Sequence, residues 1–276
     1  MAKTVDELGS RMKEYENVPK TFLTLRTPKV VRLDMRSGHT FTKGFDRPYD
    51  KVFSECMQYA TEQLCKNIPG VVLGYSQSDE ISLIINDVTN RNKTNCFFNG
   101  NVEKIVSLTA SECTLAFNQK YYELVTKHHM DNKIYTKNLW KARFDSRVFV
   151  LPDVIEVHNY ILWRQMDATK NSISSLAHTL FTTKELNKKN GSEMQDMMML
   201  QKGVNWNDYP VDFKRGFCYV KEIYFKNTVL KTGEVIENVK RQKWSKIEIP
   251  ILTKDLNFIP DVFSGKVYFN EEFVEN

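Results

Sequence analysis

Apolar and polar positions are patterned most clearly over residues 71–85, where two β-prone runs, VVLGY and ISLII, flank a polar segment. Short runs of this kind that are joined by turn-forming residues predict a β-hairpin. Before the hairpin, apolar residues at helical spacing predict a helix over residues 49–66, which Pro69 and Gly70 end. After it, similar spacing predicts a long amphipathic helix over residues 102–125.

Two further runs, at residues 29–34 and 144–150, predict strands before and after these elements. The predicted order is strand, helix, hairpin, helix, strand, which is the βαββαβ ferredoxin-like unit. We therefore expect an α+β fold in which an antiparallel sheet carries helices on one face. Beyond this core, the pattern predicts a helix over residues 155–181 and a second hairpin built from residues 217–225 and 234–249.

These elements divide the chain into three parts. Residues 1–28 are expected to form an N-terminal helix and a connector. Residues 29–152 are expected to form the core that carries the chemistry. Residues 153–276 are expected to form a C-terminal extension, with helices first and a β-hairpin after them.

Acidic residues stand where predicted strands begin or end. Asp34 ends the first strand, and Asp79 and Glu80 begin the second strand of the hairpin. Successive strand residues point to opposite faces, so Asp79 and Glu80 cannot both serve one point. If the strands are neighbours, Asp34 and Asp79 converge, and a pair of carboxylates can bind Mg²⁺. The alternative for each acid is an ordinary solvated turn residue.

Composition narrows the class of protein. The net charge of +5 favours an anionic partner without identifying one. The five cysteines are scattered and include no CxxC pair, so neither a disulfide framework nor a zinc site is indicated. The N-terminal segment lacks the apolar core of a secretory signal, and no apolar run approaches membrane-spanning length. We expect a cytoplasmic protein with no membrane partner.

Five blocks of sequence, taken together and in order, resemble the tRNA-His guanylyltransferase superfamily over about residues 28–217. The blocks are VRLDMRSGHTFT (31–42), FDRPYD (45–50), GYSQSDEIS (74–82), FDSR (144–147) and LWRQMDA (162–168). The resemblance implies a polymerase- or cyclase-like palm that works in the 3′–5′ direction. Such an enzyme activates the 5′-phosphate of a tRNA with a nucleoside triphosphate, commonly ATP. It then adds a nucleotide, usually from GTP, at the 5′ end of the acceptor stem.

The resemblance also implies roles for individual residues. Asp34 and Asp79 match two catalytic carboxylates that bind two Mg²⁺ ions, and the peptide carbonyl of Met35 matches a third ligand. Glu80 belongs to the same catalytic acidic group. The positions that match nucleotide-binding residues of the family, or that lie in its metal loop near the triphosphate, are Arg36, His39, Arg47, Asp50, Ser78 and Lys104. For Lys104, a solvated helix lysine is the alternative.

Two departures from the family pattern refine this picture. Met35 stands where a glycine is usual, and a positive φ would be strained for methionine, so the loop after Asp34 is expected to be rebuilt. Residues 169–175, TKNSISS, differ from the His-Ile-Asn-Asn run of eukaryotic members and resemble the bacterial and archaeal branch. That branch implies templated addition and repair of 5′-truncated tRNAs. The resemblance further implies a homotetramer or homodimer.

The helix that carries Arg164, Lys170 and Asn171 allows two interpretations. In the first, these side chains contact the phosphates and 2′-hydroxyls of RNA. In the second, Trp163 and Ile173 are core residues and the polar side chains form a solvated face.

Two other functions stay open at this stage. A nucleotide cyclase would share the arrangement of acids and would need no RNA. A non-catalytic RNA-binding module would retain RNA without divalent metal and without Asp34. Clustered carboxylates disfavour the second alternative, because they repel phosphates.

Overall fold

The structure is a computed structural model that describes residues 7–87, 96–229, 231–232, 234–266 and 268–269. Its strands are β1 (Lys29–Met35), β2 (Val71–Gln77), β3 (Glu80–Ile85), β4 (Phe144–Val150), β5 (Phe217–Val229), β6 (Val235–Glu248) and β7 (Tyr268–Phe269). Its longer helices are α1 (Glu7–Asn17), α3 (Lys51–Asn67), α4 (Val102–His128), α6 (Val154–Leu180) and α8 (Gly191–Lys202). Its short helices are α2 (Gly38–Phe41), α5 (Lys133–Thr136), α7 (Thr183–Leu186), α9 (Val211–Arg215) and α10 (Phe258–Phe263).

The described strands form one sheet in the order β4-β1-β3-β2-β5-β6, and β7 pairs in parallel with β5. Every other pairing is antiparallel. The first four strands with α3 and α4 make the βαββαβ unit, so the predicted fold class is confirmed.

Capping side chains define where the two longest helices begin. Asn101 accepts a hydrogen bond from the backbone N–H of Lys104 at the start of α4. Asp153 accepts one from Glu156 at the start of α6. Each side chain satisfies a backbone donor that has no partner within the helix, which is why these residue types favour the position.

Alternating residues of the strands bury two separate faces of the sheet. Val31 and Leu33 of β1 pack with Phe117 of α4 in the first core cluster, which also includes side chains of α3. Val30 of β1 packs instead with Ile161 of α6 in the second cluster, which also includes α10. The predicted helices, α3 and α4, do cover one face. The extension adds α6 and α10 on the other.

The segment after residue 152 continues the same sheet. β5 pairs with β2, so that Leu73 lies opposite Val220, and β6 pairs with β5 along nearly its whole length. By contrast, α1 has no buried residue. The cysteines of the described residues are free and buried. No helix in the described ranges combines the length and the hydropathy that a membrane span requires.

Gly74 marks the closest approach of the sheet to α3. A Cβ atom at this position of β2 would overlap Sγ of Cys65 and would lie 3.1 Å from Cγ2 of Thr61. Real side chains do not accept such overlap, so the helix rests directly on the backbone of the strand.

We expect Gly74→Ala to destabilise the fold by about 1–3 kcal/mol, because an added methyl group overpacks a filled core. Urea denaturation followed by circular dichroism measures the change. The double variant Gly74→Ala with Cys65→Ala removes the sulfur that the methyl group meets, and it should lose less stability than the two single variants lose together. Simple additivity of the two losses would contradict the packing explanation.

Candidate active site

The carboxylates of Asp34 and Asp79 lie at the same end of the sheet. Asp34 is the penultimate residue of β1, and Asp79 lies in the turn between β2 and β3. Register places Asp34 opposite Glu80, the residue after Asp79. The backbone N–H of Met35 donates to the carbonyl oxygen of Asp79 at 3.1 Å, which ties the end of β1 to the turn.

Gly38 allows the loop after β1 to reach the Asp79 carboxylate. A Cβ atom at position 38 would overlap Oδ2 of Asp79, so only glycine fits there without a shift. Ser37, before the glycine, has a left-handed φ of 58°, and Ser78, before the aspartate, has a φ of 50°. The two backbone segments next to the Asp79 carboxylate therefore each contain a residue in the left-handed region, and such uncommon conformations are often found at functional sites.

Burial raises the pKa of the Asp34 carboxyl, and the negative charge of Asp79 raises it further. The Arg32 guanidinium opposes the shift, Asp145 adds to it, and Arg147 again opposes it. Two carboxylates that repel each other offer hard oxygen ligands with unbalanced negative charge. This arrangement suits a divalent cation such as Mg²⁺.

Met35 stands where the family usually has glycine, but it does not adopt the strained positive φ that this replacement suggested. β1 runs through Met35, whose side chain is buried in the first core cluster, and the left-handed residue of the loop is Ser37 instead. In the described parts of the chain, no group of three or more His, Cys, Asp or Glu side chains is arranged to hold a metal ion. A bound ion would therefore need oxygen atoms beyond the carboxylate pair, from the Met35 carbonyl or from substrate phosphates.

Glu80 is engaged by two arginines. Its carboxylate accepts from Nε and Nη2 of Arg164 at 2.8 and 2.9 Å, and Nη2 of Arg32 lies 2.6 Å away. Burial raises the pKa of Glu80, and the two guanidinium groups oppose the shift. The sequence grouped Glu80 with the catalytic acids. Its contacts instead make it a positioning residue, because its oxygens hold arginines and do not face an open site.

The prediction that Arg164 contacts RNA is wrong. Arg164 is only 4% exposed, and Nη2 also donates to Asp167 at 2.8 Å. Its guanidinium stacks on the ring of Trp163 at 4.3 Å, and Trp163 is 54% exposed. The alternative interpretation is wrong for Trp163 and is confirmed for Ile173, which is 6% exposed in a third core cluster. A buried carboxylate partner draws the arginine inward, and the indole covers it.

Lys170 and Asn171 are exposed on α6, and Asn171 borders a cavity. The cavity lies beside the turn that carries Asp79. Its floor is apolar, with Phe45, Phe213 and Phe217 among its lining residues, and its rim includes Arg47, Ser78 and Asn171. A largely apolar cleft with a few converging polar groups is typical of small-molecule sites. Arg47 and Ser78, two of the predicted nucleotide-binding residues, therefore line the same cavity as Asn171.

Asp50 lies in the wall of this cavity, and its carboxylate is used in hydrogen bonds that support the local structure. Its carboxylate caps α3 by accepting from the backbone N–H of Phe53 at 2.8 Å. It also accepts from the N–H of Asp46 at 3.1 Å and from the hydroxyl of Tyr135 at 2.7 Å. The prediction of a direct nucleotide contact is corrected, because these three donors occupy both oxygens. Asp50 instead holds the segment that carries Arg47.

Arg36 and His39 are exposed near the carboxylate pair, Arg36 directly after β1 and His39 in α2. The backbone N–H of Arg36 donates to the carbonyl oxygen of Arg143 at 2.8 Å, which fixes the loop.

Lys104 does not lie at this site. α4 runs antiparallel to β4, since Thr109 bonds Ser146 and Asn118 bonds the carbonyl oxygen of Ala142. The first turn of α4, which carries Lys104, therefore lies toward the end of the sheet away from the carboxylates. The family resemblance placed Lys104 near the triphosphate, and a match of sequence position does not specify the direction of the helix.

Two residues that matter to the geometry were not predicted as site residues. The sequence signal for Gly38 was its place in the loop after Asp34, because a glycine allows the backbone to approach another group closely. Trp163 entered only one of the two interpretations of its helix, as a core residue, which is the usual environment of tryptophan. Its true environment depends on Glu80, which is far away in sequence, so no local signal reveals it.

Comparison with known proteins adds independent information. A family model described as tRNAHis guanylyltransferase matches residues 9–152. An uncharacterized protein of Acanthamoeba polyphaga mimivirus is 26% identical over 94% of this chain and 90% of its own length. The tRNA(His) guanylyltransferase of Saccharomyces cerevisiae is 27% identical over 75% of this chain and 89% of its own length.

Two solved structures are similar to this chain over nearly its whole length. A bacterial tRNA(His) guanylyltransferase-like protein in complex with ATP is 39% identical, with a TM-score of 0.77, over 95% of this chain and 100% of that one. A structure of such a bacterial protein in complex with GTP is 37% identical, with a TM-score of 0.73, over 94% and 99% of the two chains.

We expect Gly38→Ala to weaken divalent-ion binding by about 10- to 100-fold, the effect typical of displacing a group that supports a metal ligand. Titration with Mn²⁺, with free Mn²⁺ followed by electron paramagnetic resonance, measures the affinity. Gly191→Ala is the matched control, because its Cβ would meet only Cδ1 of Ile173 at 3.9 Å. Equal Mn²⁺ affinity in both variants would contradict the role of Gly38.

Proposed function

This chain belongs to the tRNAHis guanylyltransferase family, and on that premise we propose that it is a Mg²⁺-dependent nucleotidyltransferase that adds nucleotides to the 5′ end of tRNA. The observation that carries the proposal is the pairing of Asp34 with Asp79 next to the cavity rimmed by Arg47 and Ser78. Carboxylates that can bind Mg²⁺, beside a cleft with an arginine and a serine on its rim, suit phosphoryl transfer.

Asp34, Asp79 and the carbonyl of Met35 are the groups that would hold the two Mg²⁺ ions. Bound Mg²⁺ supplies charge neutralisation of the phosphates and alignment of the attacking and leaving oxygens. The protein contributes the rigidity of this donor set. Gly38 brings the loop against Asp79, and the Met35 N–H fixes the turn, so the carboxylates are positioned before substrate arrives.

The cavity is the proposed site of the nucleoside triphosphate, ATP for activation of the 5′-phosphate and GTP for addition. Its phenylalanines offer an apolar surface to the base. Ser78, which directly precedes Asp79, and Arg47 in the same lining are placed to contact phosphates, and Asn171 to contact the ribose or base. Arg36 and His39, which are exposed on the loop after β1, are proposed to bind the triphosphate from the other side.

The tRNA acceptor stem is proposed to approach along α6. Lys170 is exposed on that helix, and residues 169–175 carry the pattern of the bacterial and archaeal branch. This pattern supports templated repair of a missing 5′ nucleotide as the activity, in preference to addition of a single untemplated G to tRNA-His. In this division, residues 29–152 supply the chemistry and residues 153–276 supply RNA contacts.

We also propose a homodimer or homotetramer in the cytoplasm. Large apolar side chains on the outer face of α4 support self-association: Leu108, Leu115 and Tyr122 recur every seven residues and are 45%, 59% and 45% exposed. The free, buried cysteines suit a reducing compartment.

Asp79→Asn should lower the rate of nucleotide addition to a 5′-monophosphorylated tRNA by on the order of 10³-fold, because the metal loses a charged ligand. The folded state should persist, as circular dichroism would show. Asp196→Asn, which neutralises an exposed acid of α8, is the control and should retain full activity. Retained addition by the Asp79 variant would remove the two-metal assignment.

We expect templated addition when a 5′-truncated tRNA is incubated with Mg²⁺ and each of the four NTPs separately. Only the nucleotide complementary to the unpaired opposing base should be added, and changing that base should change the nucleotide accordingly. Gel electrophoresis of labelled tRNA resolves each addition. Addition of G whatever the opposing base would contradict templated repair, and a cyclic nucleotide formed from NTP alone would indicate a cyclase instead.

A further inference from the structure

Trp163 presents a rigid, half-exposed indole at the carboxylate end of the sheet. One face of its ring is covered by the Arg164 guanidinium at 4.3 Å. The ring of Tyr160 meets it edge-on, with centroids 6.0 Å apart and planes at 61°. Since 54% of the residue remains exposed, the indole still offers an uncovered surface to solvent.

The groups behind the indole are themselves fixed. Arg164 is held by Glu80 and Asp167 through hydrogen bonds of 2.8–2.9 Å. The Tyr160 hydroxyl is bonded to Oγ of Ser82 at 2.9 Å. An aromatic ring with buried, ordered neighbours loses little conformational freedom when a ligand stacks on it. Such a ring is preorganised for a flat partner.

The position of the indole relates it to the reaction centre. Arg164 binds Glu80, and Glu80 lies opposite Asp34 in the sheet. Tyr160, beside the indole, contacts Phe149 of β4, so Trp163 lies toward the β1–β4 side. The cavity lies toward the β2–β5 side, where Gln77 and Phe217 line it. The carboxylates therefore stand between the cavity and the indole.

We propose that Trp163 is a stacking platform for a nucleobase, and the base that fits its position is the terminal base at the 5′ end of the RNA. This inference rests on the proposed function. A reaction that joins two nucleotides needs two base sites with their phosphates meeting between them. The cavity supplies one and Trp163 the other. Base–aromatic stacking is common where single-stranded ends are bound, because every base has a flat face.

The kinetic test compares Trp163→Ala and Trp163→Phe with Trp140→Ala. Trp140 is a matched control, since it is 52% exposed and packs against Tyr122 of α4, on the face of the sheet opposite to α6. Trp163→Ala should raise the KM for a 5′-monophosphorylated, 5′-truncated tRNA by about 10- to 100-fold, the cost of losing one stacked base. Trp163→Phe should recover most of the loss, and the KM for GTP should stay unchanged.

A merely structural role would have a different signature. If Trp163 only covers Arg164, its loss would disturb Glu80 and the neighbouring carboxylates, and the Mg²⁺ concentration for half-maximal rate would rise as much as the KM for tRNA. That result would overturn the proposal. A raised KM for GTP with an unchanged KM for tRNA would assign the platform to the free nucleotide and overturn the RNA assignment.

Fluorescence tests binding without turnover. Stacking of a base on the indole should quench tryptophan emission when the truncated tRNA is added to the wild-type protein. Trp163→Phe should lack that component of quenching, and Trp140→Phe should keep it. Equal quenching in the wild type and Trp163→Phe would overturn the platform. Because this readout needs no catalysis, a wild-type protein that bound tRNA but added no nucleotide would contradict only the proposed function.

Discussion

The ion pair between Glu80 and Arg164 joins the two halves of this molecule. Both side chains are about 5% exposed, and the guanidinium reaches the carboxylate through two hydrogen bonds. Removing one partner of such a buried pair typically costs about 3–5 kcal/mol, because the other charge is left without compensation. Glu80 follows Asp79 in the hairpin and Arg164 lies on α6. The pair therefore fixes how the helix that borders the cavity sits against the strand ends that carry the acids.

Much of the fold could be predicted from local patterns. The strand predicted over residues 144–150 and the start of the helix at residue 102 agree with β4 and α4. These segments have strong periodicity and clear ends, such as the Asn101 cap. The second helical layer was not predicted, because nothing local to α6 says which face of the sheet it covers. That choice depends on contacts between residues far apart in sequence, such as Val30 with Ile161.

The site shows the same division between local and distant information. That Asp34 and Asp79 would share one end of the sheet followed from the strand-end positions and the βαββαβ order, which are properties of short segments. That Arg164 is buried and Trp163 is exposed could not be predicted in this way. An arginine is buried where a carboxylate can pair with it, and here that carboxylate belongs to Glu80, 84 positions away. The roles of Asp50 and Lys104 differ from the expected ones for a related reason. A match of sequence position does not state which side chains cap a helix, as Asp50 does, or which way a helix runs.

β2 pairs with β5, so the two halves of the chain share one sheet, and this pairing limits how the gene can recombine. A polypeptide that ended at residue 152 would keep both acids, yet β2 would become an open edge and Val30, Leu73 and Ile84 would lose their cover. The acids and their scaffold are thus not separable modules. A recombined gene that encoded only the first half would keep the acidic residues, but its product would lack the strand and helices that complete the fold. We therefore expect recombination to preserve the two halves together.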